Sequence, residues 1–226
     1  MGISGSNPQN ESPPRIAVLD YGMGNLRSVA RAVQAAGAEA NIITQPAGLA
    51  SAGGVIFPGQ GAIMDTMAFL KKSGFDAALR DWIGTGRPYL GICLGLQALF
   101  EGSEEGGGTP CLGLYPGKVV RFRRPPEFKV PHMGWNTVRF LQPGNSVCAG
   151  LQPEGEAFYF VHSYYVEPAD HSLVLGESDY GGWFTCATAK GNCFATQFHP
   201  EKSQARGLQI YRNFVGLVQT VTSPAA

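Results

Sequence analysis

The chain has no long apolar run, no excess of charge of either sign and no paired cysteine spacing. No apolar stretch approaches the roughly 18 to 20 residues that a helix needs to span a bilayer, so we expect no membrane association. Lysine plus arginine and aspartate plus glutamate both number 17, which leaves no net basic charge of the kind that binds nucleic acid. Neither a membrane nor a nucleic acid is therefore predicted among its partners.

Only five cysteines occur among the 226 residues, and none belongs to a C-x-x-C pair. An odd count without paired spacing argues against a disulfide framework, and the simplest account is reduced thiols in the cytoplasm. Four of these cysteines have no recognisable functional context and are expected to be packing residues or surface thiols: Cys111, Cys148, Cys186 and Cys193. We expect no metal ion and no organic cofactor.

The fifth cysteine, Cys93, lies at the centre of residues 89–97, a run that predicts a buried strand, a tight turn and a helix beginning at about Leu94. Gly91 and Gly95 flank the turn, as expected where backbone segments pass close to a residue with unusual dihedral angles. This arrangement is typical of a nucleophile elbow, with sulfur in place of the usual serine oxygen. The positive end of the helix would favour the thiolate.

A cysteine nucleophile needs a general base, and His199 ends a strand-like run shortly before Glu201. A carboxylate at this spacing can hold one ring nitrogen and leave the other facing the thiol. Taken singly, Cys93 has the alternative of a structural role, and His199 with Glu201 that of a structural pair or of metal ligands. Their combination with an elbow and a strand end predicts a Cys93–His199–Glu201 catalytic triad.

A second glycine-rich turn, residues 58–61, follows the third predicted strand at the edge where a parallel sheet opens. Such a turn can present backbone N–H groups beside the elbow, so we predict an oxyanion hole formed by the N–H groups of Gln60 and Leu94. One preorganised donor of this kind stabilises a transition state by about 3 to 4 kcal/mol. The alternative is an ordinary turn that closes the sheet.

The apolar segments predict a single α/β domain over residues 15–218, between flexible tails at residues 1–14 and 219–226. In the first half, strands alternate with helical segments, which indicates right-handed βαβ units and an open, mostly parallel sheet flanked by helices. From about Gly113 onward, short strands separated by proline and glycine suggest antiparallel pairs. A last helix is predicted from about Ser203 to Val218. The first tail lacks the apolar core of a signal peptide.

Residues 91–97 and 199–201 resemble the signature of class I (triad-type) glutamine amidotransferases, which release ammonia from glutamine through a thioester and pass it to a synthase. Further segments narrow the likeness to the family of glutaminase subunits of imidazole glycerol phosphate synthase: residues 20–26, 131–136, 159–164 and 197–203. The resemblance covers nearly all of residues 15–218. It implies a flavodoxin-like fold, L-glutamine as substrate and a (β/α)8-barrel cyclase as the partner in a heterodimer of histidine biosynthesis.

The resemblance also implies a set of glutamine-binding residues: Gly59, Gln97, Glu105, His162, Ser163 and Tyr164. Glu105 occupies the position that binds the α-amino group in similar enzymes, and residues 162–164 match the segment that holds the α-carboxylate. Without the resemblance, Glu105 would be interpreted as a solvated loop acid and Ser163 as a strand-end residue. Similar enzymes usually have valine where this chain has Gln60.

Residues predicted to face the partner are Asn25, Met133, Trp135 and Lys202. An exposed tryptophan in a glycine-flanked loop is a common binding hot spot, although core packing is an alternative for Trp135. In relatives, the cyclase receives ammonia through the interior of its barrel, and the glutaminase is nearly silent until the cyclase binds its own substrate. We hypothesise that Gly59 and Gly61 allow the oxyanion turn to switch between two states.

Other classes of function stay open at this point. The pair Gly22 and Gly24 after the first strand hints at a dinucleotide-binding module, but Arg27 replaces the third glycine of that motif. A cysteine-elbow protein of the same fold could be a peptidase, a chaperone or an inactive binding subunit. Among amidotransferases, the glutaminases for anthranilate, aminodeoxychorismate and pyridoxal phosphate synthesis are further alternatives.

Overall fold

The computed structural model describes residues 12–22 and 25–222, and within them 13 strands join in one sheet. The strands are β1 (Arg15–Leu19), β2 (Glu39–Ile43), β3 (Gly54–Phe57), β4 (Tyr89–Ile92), β5 (Gly102–Ser103), β6 (Thr109–Pro110), β7 (Gly117–Arg121), β8 (His132–Phe140), β9 (Glu156–His162), β10 (Tyr164–Pro168), β11 (Val174–Asp179), β12 (Trp183–Lys190) and β13 (Cys193–Thr196). The helices are α1 (Leu26–Ala35), α2 (Ile63–Ser73), α3 (Phe75–Gly84), α4 (Leu94–Gln97) and α5 (Gln204–Thr222). No helix in these two stretches of chain is both long and apolar enough to cross a bilayer.

The parallel part of the sheet has the order β2-β1-β3-β4-β13, with each neighbouring pair parallel. Every residue of β3, β4 and β13 is buried, as expected for parallel strands that are covered on both faces. The carboxyl ends of β3, β4 and β13 therefore lie side by side at one edge of the sheet. The predicted α/β class with a parallel first half is confirmed.

The core is divided in two by the sheet, because successive residues of a strand point to opposite faces. Ile16 and Val18 of β1 pack in a cluster with apolar side chains of α1 and α5. Ala17 and Leu19 belong to the cluster on the other face, which contains apolar side chains of α2 and α3. The two helical layers thus hold the carboxyl edge of the parallel strands in a fixed position.

The second half of the chain adds antiparallel strands, as predicted, in the order β13-β12-β10-β7, while β11, β8 and β9 branch from this path. The β8–β9 hairpin pairs His132 with His162 and Trp135 with Tyr159. Strand β10, which the sequence pattern did not indicate, follows β9 after Ser163 alone and pairs with β7 and β12. The junction of β9 and β10 thereby becomes part of a rigid sheet and not a loop.

The predicted tail at residues 219–226 is in part helical, because α5 continues to Thr222. The last turn of α5 packs closely on Gly53. A β-carbon on that glycine would lie 2.9 Å from the Val218 side chain and 3.0 Å from the Thr222 side chain. Of the predicted N-terminal tail, residues 1–11 lie outside the described residues, but Pro14 accepts a hydrogen bond from the Glu39 N–H at 2.9 Å. The folded part therefore extends beyond both predicted boundaries.

Candidate active site

The strand–turn–helix around Cys93 is present, and Cys93 has φ 55° and ψ −102°, a conformation that non-glycine residues rarely adopt. Gly95 is required because a β-carbon there would overlap the carbonyl oxygen of Phe57, and a β-carbon on Gly91 would lie 2.5 Å from the Gly95 carbonyl oxygen. The Tyr89 hydroxyl braces the turn by donating to that same oxygen at 2.8 Å. Helix α4 has only four residues, so its dipole contributes less to the sulfur than the sequence suggested.

His199 and Glu201 form a buried pair behind the elbow. His199 Nδ1 and Glu201 Oε1 are 2.8 Å apart, and the two side chains are only 1% and 3% exposed. Burial alone would lower the pKa of His199, but its interactions with the neighbouring Cys93 and Glu201 groups raise it to about 9. The other ring nitrogen, Nε2, is buried and makes no hydrogen bond of good geometry within the described residues. Nε2 is therefore free to exchange a proton at the sulfur.

The backbone of His199 is fixed by the β9 strand and by the turn that follows it. Its N–H donates to the Tyr159 carbonyl at 2.9 Å, and its carbonyl accepts from the Ser203 hydroxyl at 2.7 Å. The Ser203 oxygen also accepts from the Tyr159 N–H at 3.0 Å. Ser203 thus ties the backbone of His199 to strand β9.

A cavity of about 380 Å³ opens in front of Cys93. Most of the residues predicted from the sequence line it, namely Gln60, Cys93, Leu94, Gln97, Glu105, His162, Ser163, Tyr164, His199 and Lys202. Glu201 lies behind His199, and Gly59 lies behind Leu94, so neither belongs to the cavity wall. The structure therefore brings together at one site residues that are separated by more than 100 positions in the sequence.

Glu105 combines a structural contact with a place in the cavity wall. Its Oε2 accepts a hydrogen bond from the Ile63 N–H at 2.9 Å, at the beginning of α2. That bond uses one carboxylate oxygen and fixes the side chain at the cavity, where the negative charge can meet an ammonium group. A solvated loop acid would not be held in this way.

The predicted oxyanion turn is in a conformation in which the Gln60 N–H does not point to the sulfur. This N–H donates to the Tyr21 hydroxyl at 2.8 Å, and the Tyr21 hydroxyl in turn donates to the Gln60 carbonyl at 3.2 Å. The turn nevertheless packs tightly on the elbow, because a β-carbon on Gly59 would lie 2.6 Å from the Leu94 nitrogen. The predicted oxyanion role of Gln60 therefore requires that its bond to Tyr21 be broken. Sequence reasoning missed Tyr21.

Two buried amide side chains lie beside the nucleophile. Gln97 Nε2 is 3.1 Å from the Tyr164 carbonyl oxygen and 3.1 Å from Gln197 Oε1, while Gln197 Nε2 is 3.4 Å from Cys93 Sγ. Gln97 was predicted as a substrate contact, but Gln197 was not singled out. Its sequence signals are a polar residue directly after the buried strand β13, two positions before His199, and membership of the segment 197–203 that resembles the family.

Of the residues predicted to face a partner, Lys202 lines the cavity, and Met133 pairs across the β8–β9 hairpin with Val161, which also lines it. Met133 and Trp135 on β8 are 62% and 50% exposed, so the alternative of core packing for Trp135 is wrong. Trp135 contacts the Tyr159 ring edge-on at a centroid distance of 6.2 Å, and Lys202 Nζ lies 5.8 Å from that same ring. Asn25 is exposed and caps α1 by accepting from the Ser28 N–H at 3.3 Å.

The other four cysteines are buried free thiols, so they are packing residues and not surface thiols. Burial raises the pKa of Cys111, Cys148 and Cys193 to about 12, and that of Cys186 well above its ordinary value. Of the five thiols, only Cys93 opens onto the cavity.

Comparison with known proteins places the chain in a family. Residues 17–217 match the family model for class-I glutamine amidotransferases. The chain is 49% identical over 206 residues to the imidazole glycerol phosphate synthase subunit HisH of Synechococcus sp. (strain JA-3-3Ab), covering 90% of this chain and 94% of that protein. It is 50% identical over 204 residues to the subunit of the same name from Moorella thermoacetica, covering 90% and 95%.

Solved structures agree with the fold. PurLQS from Thermotoga maritima superposes with a TM-score of 0.73 at 18% identity, covering 91% of this chain and 99% of that one. A structure described as a glutamine amidotransferase gives a TM-score of 0.70 at 19% identity, covering 90% and 98%. Together with the family model and the relatives, these likenesses argue against the alternative of a dinucleotide-binding module. Gly24, one of the two glycines on which that alternative is based, lies outside the described residues. The chain belongs to the class-I glutamine amidotransferase family and, within it, to the HisH family of imidazole glycerol phosphate synthase subunits.

Proposed function

We propose that this chain hydrolyses L-glutamine to glutamate and ammonia through a thioester on Cys93. The ammonia passes to a (β/α)8-barrel cyclase subunit, which makes imidazole glycerol phosphate and AICAR in histidine biosynthesis. The observation that carries the proposal is the buried His199–Glu201 pair, 2.8 Å between Nδ1 and Oε1, next to a strained cysteine that opens onto a cavity. The names of the relatives support the choice of synthase.

The arrangement suits acyl transfer by a thiol. Cys93 Sγ attacks the carboxamide carbon of glutamine while its proton resides on His199 Nε2, and the carbonyl oxygen becomes an oxyanion next to the Leu94 N–H. The tetrahedral intermediate expels ammonia as His199 returns the proton to the leaving nitrogen. Water then attacks the thioester, His199 takes its proton, and glutamate leaves as the thiol is restored. Glu201 holds the imidazole in the required orientation throughout.

The cavity offers complementary groups to the ends of an amino acid. The Glu105 carboxylate would accept the α-ammonium group, and residues 162–164, at the junction of β9 and β10, would hold the α-carboxylate. Gln97 lies between this junction and the sulfur, where it can contact the substrate. The glutamine carboxamide would then reach Cys93.

The partner would dock at the mouth of the site. Exposed apolar side chains beside a catalytic cavity, such as Met133 and Trp135, are typical of a protein interface. The hydrogen bond from the Gln60 N–H to Tyr21 supports slow glutamine hydrolysis in the absence of the partner, because this oxyanion donor is then bonded to the tyrosine and not to the substrate. Docking of a ligand-bound cyclase would stabilise the turn in its released state. We also infer a heterodimer that works in the cytoplasm.

The decisive experiment is release of ammonia and glutamate from L-glutamine, with the chain alone and with a barrel cyclase and its nucleotide ligand. Low basal release, strong ligand-dependent stimulation and no activity in Cys93→Ala are the expected results. Basal activity that needs Cys93 but is never stimulated by the cyclase would indicate that the chain serves another ammonia-using synthase. Activity that survives Cys93→Ala would refute the thiol mechanism, and peptide hydrolysis without glutamine turnover would favour a peptidase.

A further inference from the structure

A continuous chain of hydrogen bonds leads from strand β8 to the nucleophile. On the β8 side, Asn136 Nδ2 is 3.3 Å from His132 Nε2, and His132 Nδ1 is 3.0 Å from His162 Nε2. His162 Nδ1 is 2.8 Å from the Tyr164 carbonyl oxygen. On the other side of this oxygen, Gln97 and Gln197 continue the chain to Cys93 Sγ. The Tyr164 carbonyl is thus the point where two branches meet.

The direction of the histidine branch is determined by its chemistry. A carbonyl oxygen only accepts, so His162 must carry its proton on Nδ1. Burial lowers the pKa of His162 to about 3 and that of His132 to about 4, so both rings are neutral at pH 7. His162 Nε2 must then accept from the Nδ1–H of His132, and His132 Nε2 accepts from Asn136. The Asn136 amide is oriented by its bond to the Asp179 carbonyl at 2.8 Å.

The same carbonyl orients the two glutamines. Because the Tyr164 oxygen accepts, Gln97 must face it with its NH2 group. Gln97 Nε2 also lies against one side-chain atom of Gln197, and that atom must be the oxygen, since two donors would repel each other. The other end of the Gln197 amide, an N–H donor, is therefore directed at Cys93 Sγ, 3.4 Å away.

The hydrogen bond from Gln197 to Cys93 stabilises a neutral thiol only weakly and a thiolate much more strongly. A thiol sulfur is a weak acceptor, whereas hydrogen bonds to an ionised acceptor are roughly twice as strong as neutral ones. Gln197 is fully buried and Gln97 is 2% exposed, so no water competes for these groups. The amide is thus placed where it gains most when the sulfur is charged, during attack and again when glutamate leaves the thioester.

We propose that Gln197 is a further catalytic residue of the glutaminase site, which stabilises the Cys93 thiolate through its amide N–H. His132, His162 and the Tyr164 carbonyl are positioning groups that keep this N–H directed at the sulfur. The inference rests on the proposed thiol mechanism and adds to it a donor that belongs neither to the triad nor to the oxyanion turn.

The test is the rate at which iodoacetamide alkylates Cys93 at pH 7.5, read by mass spectrometry, together with kcat and KM for glutamine. Gln197→Met keeps the length of the side chain but removes the donor, and we expect alkylation and kcat to fall about tenfold, with KM changed less than twofold. Gln197→Glu places a carboxylate at the sulfur and should be slower still. Gln209→Met, which removes an amide bonded to Asn213 on α5, is the matched control and should behave as wild type.

The positioning branch is tested separately at His132. His132→Phe retains a ring between Tyr180 and Phe160 but removes the donor to His162, and we expect a several-fold slower alkylation. His132→Gln, which restores an N–H, should recover part of the loss. Nitrogen NMR shifts of the wild-type rings must show protons on Nδ1 of both histidines. A proton on Nε2 of either ring would overturn the directional chain.

Wild-type alkylation in a folded Gln197→Met variant would refute this proposal while leaving the glutaminase mechanism intact. Should that variant fail to melt cooperatively, Gln197→Glu decides the question, because alkylation as fast as in the wild type would refute the proposal. Loss of the proposed function itself would look different, because Cys93→Ala would then retain glutamine turnover.

Discussion

At the scale of single residues, the Tyr21 hydroxyl holds the peptide group of Gln60, which we predict to be an oxyanion donor. Tyr21→Phe removes the bonds to the Gln60 N–H and carbonyl, 2.8 and 3.2 Å long. We expect unstimulated glutamine hydrolysis to rise at least about 3- to 10-fold, because each of these hydrogen bonds contributes about 0.5 to 1.5 kcal/mol to the held state. The measurement is ammonia release by the chain alone.

Tyr180→Phe is the control for this change, because it removes a hydroxyl bonded to the Lys129 carbonyl at 2.7 Å, away from the turn. Its basal rate should equal that of the wild type. An unchanged or reduced basal rate in Tyr21→Phe would show that the tyrosine does not restrain the turn.

The raised pKa of His199 predicts a pH-dependent stability. Its ordinary value of 6.5 becomes about 9 in the folded chain, despite burial, through the neighbouring Cys93 and Glu201 groups. Because the folded state binds the proton more tightly, this stability is fully present below pH 6.5 and is lost as the pH rises through 9. The loss is on the order of 2 to 3 kcal/mol. Urea denaturation at pH 6.5 and 9.5 should show a smaller loss in Glu201→Gln, and equal losses would contradict the assignment.

At the scale of elements, the elbow depends on the contact between β3 and α4. Gly95→Ala places a β-carbon against the Phe57 carbonyl oxygen, so either the strand or the helix must shift. We expect a loss of at least about 2 kcal/mol in the free energy of unfolding and a loss of activity of at least about 100-fold. Thermal melts and turnover measure the two effects.

Gly216→Ala in α5 is the matched control, since a β-carbon there meets nothing within 4 Å. It should be neutral or stabilise the chain by up to about 1 kcal/mol. Near-normal turnover in Gly95→Ala would mean that the elbow tolerates displacement.

The sequence could predict features formed by residues close together in the chain, but not contacts between elements that are distant in the chain. The elbow and the His199–Glu201 pair could be predicted because each is local, with members at most four positions apart. Tyr21 with Gln60, and Gln97 with Gln197, are 39 and 100 positions apart, and their contacts depend on sheet order. The pairing of His132 with His162 depends on the register of the β8–β9 hairpin. The extension of α5 to Thr222 depends on its packing against Gly53.

At the scale of the whole molecule, the exposed face beside the cavity should control assembly and not folding. Trp135→Ala removes a side chain that is 50% exposed, so the melting temperature should change little. Affinity for a barrel cyclase should fall by at least about 30-fold, as expected when a central tryptophan is truncated. Isothermal titration calorimetry gives this value directly.

Trp183→Ala is the control, because Trp183 is 53% exposed on β12 and stacks with Arg139 at 4.1 Å. It should bind the cyclase as the wild type does. Equal affinities in the two variants would place the interface elsewhere.

At Cys93, selection for catalysis and selection for stability favour different residues. Its φ of 55° and ψ of −102° lie in a region that glycine occupies readily and cysteine does not. Cys93→Gly should therefore produce an inert chain that is more stable, by about 1 kcal/mol. A library of variants screened only for solubility or heat resistance would accumulate glycine at this position. Only growth that depends on the ammonia produced would retain the cysteine.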